Sequence, residues 1–362
     1  MKSYKNLWER FISDENIELA IKNARKGKTT RKSVNKRLSD PHFKDKIRYY
    51  AAHFKNAKHT PKVIYDGIQR KQRVIIVPTF EEQVVHHMVV NILKPIFAKP
   101  MYYHSYGSLP NKGAHRGKKA IEKYIKGHPK DCKYILKMDI SKYFDSIPHD
   151  ILRNNLRKII RDERFIFVLD EIVSVTDKGI PLGFYTSQWI ANWYLTGLDH
   201  FIKEDLKAKF YIRYMDDMVI FDSNKKRLHD VRRKIENYLI GNLGLHLKDN
   251  WQVFKFDYKG RFRPLDFMGF KFYRNRTVLR KSIMLKASRK ARRIKRDKLT
   301  IYTARQMLAY LGWITCTFVY GFYLKYIKPY VNFGKLKKYV SKYDKKRRVN
   351  YGMDNKRLCA AS

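Results

Sequence analysis

Three aspartates stand out in this 362-residue chain, in which Lys and Arg outnumber Asp and Glu by 79 to 33. Asp139 ends the β-prone run that begins at Tyr134, and Asp216 and Asp217 follow a second such run that begins at Tyr211. Crowded carboxylates repel one another, so at least one would be driven toward protonation unless a cation neutralised the group. Mg²⁺ takes oxygen ligands, usually a few carboxylates together with substrate phosphates. The three aspartates are therefore candidate metal ligands.

The chemistry that such a site would perform is nucleotide addition. Two ions roughly 3.5–4 Å apart would stabilise both the attacking 3′-oxygen and the leaving pyrophosphate oxygen. Asp216 and Asp217 are expected at the tip of a hairpin, however, and aspartates are also common in ordinary β-turns. On its own the pair leaves both interpretations open, a metal site and an acidic turn.

The charge balance favours a nucleic-acid partner. The formal net charge is +46, and such a surplus opposes compactness unless an acidic partner offsets it. Nucleic acid fits best, because each phosphate that is neutralised releases condensed counterions. An anionic membrane is the rival, but we find no amphipathic terminal anchor and no lipidation signal. We interpret the uncharged stretch Gln306 to Leu324 as two buried helices that meet at a turn, and we expect no membrane association.

The cysteines indicate a reducing compartment. Cys132, Cys316 and Cys359 are far apart and form no Cys-x-x-Cys pair, which disfavours a zinc site and a disulfide framework. The first residues are charged and contain no apolar signal segment. We therefore expect a cytoplasmic protein.

Mixed helices and strands are expected to position the acids, which is an α+β pattern. Hydrophobic periodicity and breaker residues mark these elements. The predicted strands are residues 73–78, 134–139 and 265–273, with a hairpin at 211–222. The predicted helices are residues 81–97, with a stop near Pro95, and residues 150–160, 185–206 and 228–239.

Composition divides the chain into four predicted parts. Residues 1–60 form a basic helical extension, and residues 61–277 contain the acidic motifs. Residues 278–348 form a helical domain that begins and ends with dense basic runs, and residues 349–362 form a tail.

The acidic segments resemble the two palm motifs of reverse transcriptases. These segments are Asp139-Ile-Ser-Lys-Tyr-Phe-Asp145 and Tyr214-Met-Asp-Asp217. Further segments, between about residues 60 and 275, resemble other blocks of that family in the same order. They are the fingers strand Arg73-Val-Ile-Ile-Val-Pro78, the second block His104-Ser-Tyr-Gly107 with Lys112, Arg116, Lys118 and Lys119, the fourth block Gly179-Ile-Pro-Leu-Gly-Phe-Tyr-Thr-Ser-Gln188, the sixth block Leu243-Gly-Leu-His-Leu247, and the seventh block Asp266-Phe-Met-Gly-Phe270.

The resemblance implies a right-hand polymerase fold and RNA-directed DNA synthesis. Fingers and palm with an antiparallel sheet would be followed by an all-α thumb that holds a template–primer duplex. Asp139 and Asp216 would bind two Mg²⁺ ions directly, with Mn²⁺ as a possible substitute. Asp217 would complete the catalytic cluster, and the Ile140 carbonyl would add an oxygen ligand.

The resemblance also implies nucleotide contacts. Lys71 and Arg73 would clamp the triphosphate, since a guanidinium fork and an ammonium both suit phosphate oxygens; the alternative is ordinary charge at a strand edge. Phe144 would be a steric gate against the 2′-hydroxyl of ribonucleotides. The alternatives there are a core Phe144, or Tyr143 as the gate.

Two more blocks contribute predicted contacts. Leu182, Gly183 and Gln188 of the fourth block would contact the incoming nucleotide. The alternatives are that Leu182 packs against the palm helix and that Ser187 and Gln188 start that helix, with serine as its cap. Met268 and Gly269 of the seventh block would form the primer grip.

The fourth block indicates a subfamily. Its Leu182-Gly183-x-x-x-Ser187-Gln188 form resembles reverse transcriptases of diversity-generating retroelements, a group-II-intron-like bacterial type. This resemblance implies error-prone, adenine-mutagenised cDNA copied from a template-repeat RNA, with the RNA and the cDNA/RNA duplex as partners. It also implies an oligomeric accessory variability protein. Leu182 offers no directional hydrogen bond where most relatives have glutamine, so less binding energy separates right from wrong nucleotides.

The sequence departs from the family pattern at one position, and two alternative functions remain open. Trp251 lies about where intron-type relatives have a lysine, which puts a lysine contact there in doubt. The chain could instead be another bacterial group-II-like or phage-defence reverse transcriptase. It could also be a non-catalytic RNA-binding protein on a polymerase fold, although all three aspartates are present.

Overall fold

The fold is described here from a computed structural model that covers residues 3–29, 31–66, 71–257, 263–297 and 299–359. Side chains are described up to residue 346, except those of residues 66 and 71. The helices of this part are α1 (Leu7–Phe11), α2 (Asp14–Arg25), α3 (Lys32–Leu38), α4 (Phe43–Ala52), α5 (Phe80–Ala98), α6 (Ala114–Gly127), α7 (Tyr143–Ser146), α8 (His149–Ile159), α9 (Glu163–Val173), α10 (Tyr185–Tyr194), α11 (Thr196–His200), α12 (Lys225–Tyr238), α13 (Lys281–Arg296), α14 (Ile301–Thr315), α15 (Tyr320–Tyr326) and α16 (Phe333–Cys359). The strands are β1 (Lys62–Asp66), β2 (Lys71–Ile75), β3 (Tyr134–Asp139), β4 (Phe210–Tyr214), β5 (Asp217–Asp222), β6 (Gln252–Lys255), β7 (Leu265–Phe267), β8 (Phe270–Phe272) and β9 (Thr277–Leu279).

The mixture of helices and antiparallel sheets confirms the α+β prediction. The chain divides into two compact units, residues 1–255 and residues 256–362. The first unit contains a β1–β2 hairpin and a four-stranded sheet in the order β4-β5-β3-β6. The second unit contains a three-stranded sheet in the order β7-β8-β9, followed by helices.

Four helices in residues 7–52 bear out the helical prediction for the basic N-terminal segment. Helix α2 begins where the Ser13 hydroxyl accepts a hydrogen bond from the Asn16 amide, which satisfies one of the unpaired donors of its first turn. The apolar face of α2 packs against α5, and Ile17 is fully buried there. This packing makes the N-terminal helices part of the first unit's core. The assignment of residues 1–60 to the fingers stays a prediction.

Helix α5 forms the centre of that core and begins with a reciprocal cap. The Thr79 hydroxyl accepts from the Glu82 amide, and the Glu82 carboxylate accepts from the Thr79 amide. The helix predicted over residues 81–97 is confirmed as α5, and Pro95 does not end it but lies inside its last turn. Proline removes one amide donor, and a helix tolerates that loss in its last turn more easily than in its interior.

The four-stranded sheet carries the acidic residues at the ends of its central strands. Strand β3 pairs with β5 on one side and with β6 on the other, and both pairings are antiparallel. The hairpin predicted at residues 211–222 is confirmed as β4 and β5. Helix α12 packs against β3 and β5, which buries residues such as Leu136 and Ile220. The sheet is thus fixed beneath its acidic edge.

The single helix predicted over residues 185–206 is wrong. Helix α10 ends at Tyr194, α11 spans Thr196–His200, and a π-helical turn follows at Phe201–Asp205. A π turn accommodates an extra residue per turn and changes which side chains face inward. Tertiary contacts of Asp199 accompany this break, and Gly197 is the helix-weakening residue that lies beside it in the sequence.

The structure of the second unit corrects three further predictions. Residues 265–273 are not one strand: β7 and β8 form a hairpin, because Met268 and Gly269 both have positive φ, 50° and 84°. Strand β9 then crosses the predicted boundary at 277/278, so the helical part begins at Lys281. Helix α16 extends to Cys359 and therefore includes most of the predicted tail 349–362. The functional domain boundaries remain predictions.

The uncharged stretch from Gln306 to Leu324 forms two helices, as predicted. Helix α14 ends at Thr315 and α15 begins at Tyr320. Within the described residues, none of the helices has the length and the apolar character needed to cross a bilayer.

Candidate active site

The Tyr214–Asp217 turn brings the three predicted catalytic aspartates to one edge of the sheet. Tyr214 and Asp217 are the last paired residues of β4 and β5, and Met215 and Asp216 form the connection between them. Asp217 also lies opposite Asp139 in the β3–β5 ladder. Directly opposed residues in such a ladder have Cβ atoms about 4.5–5.5 Å apart. The hairpin therefore juxtaposes acids that are far apart in sequence.

Ile140 lies beside the same turn. Its amide donates a 3.3 Å hydrogen bond to the Asp216 carbonyl, and its side chain is fully buried. Met215 adopts a left-handed conformation with φ 55°, which the tight connection requires. The four residues predicted as metal ligands are thus adjacent, whereas their role as ligands stays a prediction.

The electrostatics of this edge favour a bound cation. Burial raises the pKa of the Asp216 carboxyl, and the negative charges of Asp139 and Asp217 raise it further. Among the described residues, no three acidic, histidine or cysteine side chains form a complete metal-binding set. The aspartates nevertheless fit Mg²⁺, which usually takes only one or two protein carboxylates and completes its shell with water and substrate phosphates.

Sequence reasoning missed Lys248. Its ammonium Nζ lies 2.6 Å from Asp139 Oδ1, and both side chains are about one-third exposed or less. The contact depends on how the chain returns beside β3 after the sixth block, so no local pattern in the sequence indicates it.

A fully buried ion pair lies behind the turn and was also missed. The Arg213 guanidinium donates to both carboxylate oxygens of Asp199, with distances of 2.6 Å to 3.1 Å. Its Nη1 donates to the Met215 carbonyl at 3.1 Å, and the Tyr211 hydroxyl donates to Asp199 at 2.8 Å. A buried charge requires a paired, hydrogen-bonded partner, and here the pair also fixes the backbone of the turn.

The second block packs against the turn from another side. A Cβ on Gly107 would lie 2.4 Å from the Met215 Cγ and 2.6 Å from its amide nitrogen, so only glycine fits. The Asn192 amide group donates to the Gly107 carbonyl and to the Gln188 carbonyl, each at 3.0 Å. Helix α10, the second block and the catalytic turn are therefore joined through Asn192.

Phe144 and Tyr143 have different environments, which bears on the steric-gate prediction. Tyr143 is buried, and its hydroxyl donates to the Ala191 carbonyl. Phe144 is only partly buried, and its carbonyl accepts a 2.7 Å hydrogen bond from the Ile180 amide in the fourth block. Of the two rings, Phe144 is the one that remains accessible to a ligand.

The fourth block is anchored to the segment that follows β2. The Leu182 carbonyl accepts a 2.8 Å hydrogen bond from the Ile76 amide. Gly183 has φ 112°, and a Cβ there would lie 2.1 Å from the Ile76 carbonyl oxygen. The half-buried Leu182 and the exposed Gly183 thus lie beside the end of the predicted fingers strand.

The remaining predicted nucleotide contacts lie on strand β2 and in helix α10. Arg73 is exposed on β2, opposite Ile64, and the side chain of Lys71 lies outside the described residues. Gln188 is half-buried inside α10, which begins at Tyr185, so it does not start that helix. A β-type backbone at Phe184 sets the helix start instead of a serine cap.

The predicted primer grip forms the β7–β8 turn of the second unit. A Cβ on Gly269 would lie 2.9 Å from Ile283 Cδ1 and 3.1 Å from the Trp313 ring, so glycine permits the turn to approach these helices. Asp266 pairs with Arg280 at 2.6 Å and supports the hairpin base. The structure therefore builds Met268 and Gly269 into a fixed turn, and their contact with a primer stays a prediction.

Comparison with known proteins identifies the family to which a chain with these features belongs. The family described as "Reverse transcriptase (RNA-dependent DNA polymerase)" matches residues 57–272, more than half of the chain. This chain belongs to the reverse transcriptase family. The match includes the catalytic turn, the opposed Asp139 strand, the fourth block and the β7–β8 hairpin.

Relatives of this reverse transcriptase are found among bacterial proteins. It is 22% identical over 224 residues to protein YkfC of Escherichia coli K12, covering 49% of this chain and 58% of that protein. It is 26% identical over 200 residues to the group II intron-encoded protein LtrA of Lactococcus lactis subsp. cremoris, covering 51% of this chain and 32% of that protein. The chain thus spans less than two thirds of the length of either relative.

A retron protein and a telomerase are also similar. The retron Ec48 reverse transcriptase of Escherichia coli is 27% identical over 165 residues, covering 43% of this chain and 37% of that protein. A telomerase structure from Candida albicans, in complex with a telomeric RNA fragment, has 13% identity and a TM-score of 0.48. That alignment covers 83% of this chain and 59% of the telomerase chain.

Proposed function

We propose that this reverse transcriptase is an active RNA-directed DNA polymerase whose catalytic residues are Asp139, Asp216 and Asp217. The observation that carries the proposal is the opposition of Asp139 and Asp217 across β3 and β5, with Asp216 in the adjoining turn. The buried Arg213–Asp199 pair supports it, because a fixed turn keeps the carboxylates positioned before substrate arrives.

Asp139, Asp216, Asp217 and the Ile140 carbonyl would hold Mg²⁺. When bound, two such ions polarise the phosphate that is attacked and stabilise the leaving pyrophosphate. The chain itself contributes position: Met215 shapes the turn, and the Ile140 amide fixes the Asp216 backbone. Phe144, Leu182, Gly183 and Gln188 would line the nucleotide site, with Arg73 and Lys71 on the triphosphate and Met268 and Gly269 on the primer.

Primer extension tests the proposal. Wild-type protein with an RNA template, a DNA primer, dNTPs and Mg²⁺ should extend the primer, and Asp216→Asn should abolish extension without unfolding the protein. Asp230→Asn, on the exposed surface of α12, is the matched control and should retain full activity. RNA binding without extension under every primer and partner condition would instead favour a non-catalytic RNA-binding protein.

We further propose that the enzyme belongs to a diversity-generating retroelement and copies template-repeat RNA inaccurately at adenines. The Leu182-Gly183-x-x-x-Ser187-Gln188 sequence supports this subtype. The half-buried Leu182 cannot offer the directional hydrogen bond of a glutamine amide, which lowers the free-energy difference between correct and incorrect nucleotides.

Sequencing of cDNA made on the cognate RNA tests the subtype. Wild type should misincorporate mainly opposite adenine, and Leu182→Gln should lower that rate. The exposed Leu19→Gln is the control for an added amide elsewhere. An unchanged adenine error rate in Leu182→Gln would contradict the role of Leu182, and an accurate wild type would favour another group-II-like or phage-defence enzyme.

The proposed partners follow from the subtype. They are the template RNA, the cDNA/RNA duplex and an oligomeric accessory variability protein. We propose a cytoplasmic location, because the cysteines are far apart in the sequence and form no Cys-x-x-Cys pair. A template repeat and a variable repeat beside the gene would support this reading, and co-purification with the accessory protein would test the complex.

A further inference from the structure

The chain that follows the sixth block runs antiparallel beside the end of β3. Leu247 forms a bridge with Ile140, the Ser141 amide donates to the His246 carbonyl, and the Lys248 amide donates to the Asp139 carbonyl, both at 2.8 Å. The backbone of Lys248 is therefore held directly against the backbone of Asp139.

The same chain then bulges before it pairs again as β6. Leu247 is opposite Ile140, but Gln252 is opposite Lys137, so residues 248–251 face only Met138 and Asp139. Extra residues of this kind re-aim side chains at the edge of a sheet. Here the first residue of the bulge directs its ammonium to the predicted metal ligand.

The result is a close ion pair. Lys248 Nζ lies 2.6 Å from Asp139 Oδ1, and the two side chains are 34% and 26% exposed. The pair is joined by charge and proximity rather than by a well-aligned hydrogen bond, since this carboxylate oxygen lacks a bond of good geometry. Asp139 Oδ1 is itself shielded from solvent, so a cation beside it, either the ammonium or a bound metal ion, is needed to offset its burial.

We propose that Lys248 is a resident counter-cation that neutralises Asp139 until a divalent ion displaces its ammonium from the carboxylate. The proposal rests on the metal-binding role of Asp139 in the proposed function. Lys248 and the divalent ion compete for one carboxylate, so Lys248 sets the metal concentration at which the site fills. Without Lys248, the mutual repulsion of Asp139, Asp216 and Asp217 would be fully expressed in the metal-free enzyme.

Direct measurement of Mn²⁺ binding tests this competition without using activity. Electron paramagnetic resonance of free Mn²⁺ would give the dissociation constant for wild type and for Lys248→Met. Partly exposed ion pairs are weak, so we expect binding about two- to five-fold tighter in Lys248→Met. Lys248→Arg retains the charge and should bind Mn²⁺ no more tightly than wild type.

Two controls separate the outcomes. Lys44→Met removes a positive charge from an exposed pair with Glu18 and should leave Mn²⁺ binding unchanged. Asp139→Asn should weaken binding in either background. If Asp139→Asn has no effect, the metal role of Asp139 is wrong; if it weakens binding but Lys248→Met matches wild type, only the counter-cation proposal is overturned.

Thermal unfolding gives a second readout. Lys248→Met should melt below wild type when no divalent ion is present and should gain more from added Mn²⁺. A smaller metal-induced gain than that of wild type would contradict the proposal, because it would mean that Lys248 assists metal binding.

Discussion

Arg213 precedes the Tyr-Met-Asp-Asp segment and combines two tasks in one side chain. Its Nε and Nη2 atoms bind Asp199, and its Nη1 atom binds the Met215 carbonyl. Neither Arg213 nor Asp199 has measurable exposure to solvent. An arginine fork can satisfy both partners at once, which the single ammonium of lysine cannot do.

Loss of Asp199 should therefore be costly. Asp199→Asn leaves the Arg213 charge buried and unpaired, and we expect the free energy of unfolding to fall by about 3–5 kcal/mol. Urea denaturation measures this change. Glu18→Gln, in an exposed ion pair, should leave stability nearly unchanged. Equal effects of the two substitutions would show that the buried pair has no special role.

Phe144 should govern discrimination against ribonucleotides. Phe144→Ala removes the ring that would contact the 2′-hydroxyl, and we expect relative ribonucleotide incorporation to rise by at least about 10-fold. Single-nucleotide extension with matched dNTP and rNTP pairs measures the ratio. Phe167→Ala, at an exposed position of α9, is the control. An unchanged ratio in Phe144→Ala would mean that the ring has only a packing role.

For individual residues, short sequence motifs predicted most of the side chains that the structure places together at the candidate active site. The adjacency of Asp139, Asp216, Asp217 and Ile140 follows from strands and a turn that are visible in the sequence. Lys248 was missed because its partner Asp139 lies far away along the chain, and Asp199 was missed because it meets Arg213 only through the tertiary fold. Only the register of the sheet and the break after α10 determine which charges they meet.

Among the helices, the contact between α5 and α10 contains a buried histidine. His86 Nδ1 lies 3.1 Å from the Thr186 hydroxyl, and its ring packs on Phe184. Burial lowers the pKa of His86 from 6.5 to about 3, and the charges of His87 and His59 oppose the attraction of Glu82. The two helices are thus packed around a neutral imidazole.

This contact should weaken in acid. Between pH 6.5 and 3, the unfolded chain takes up a proton at His86 that the folded chain does not. The contribution to stability is complete above about pH 6.5 and declines as pH falls. From pH 6.5 to 5, wild type should lose about 2 kcal/mol more unfolding free energy than His86→Gln. Urea titrations at both pH values measure the difference, with exposed His53→Gln as control; parallel curves for wild type and His86→Gln would contradict it.

Elements with strong local signals were predicted well. Strand β3, the β4–β5 hairpin and the start of α5 each have alternation or a cap within a few residues. The hairpin at Met268 was missed because methionine rarely adopts positive φ, although Gly269 beside it is a turn signal. Short strands such as β1 and β6 depend on their partners, so their own residues specify them weakly.

For the whole molecule, we expect the charge of +46 to make ionic strength the main control on affinity for the proposed RNA partner. If at least six phosphates are neutralised on single-stranded RNA, log K should fall against log salt with a slope of about −4 or steeper. Fluorescence anisotropy of labelled RNA, measured between about 50 and 200 mM salt, gives this slope. A slope near zero would show that the basic surface does not contact the RNA backbone.

The β1–β2 hairpin has a consequence for the order in which the enzyme opens. Its strands pair only with each other in the described structure, and Val63, Tyr65 and Val74 are largely exposed. A two-stranded hairpin of this kind is marginally stable by itself. Its amide protons should therefore exchange with heavy water through local opening, long before those of β3. Hydrogen-exchange mass spectrometry would then show that the four-stranded sheet beneath the predicted catalytic aspartates stays closed while the β1–β2 hairpin opens and recloses many times.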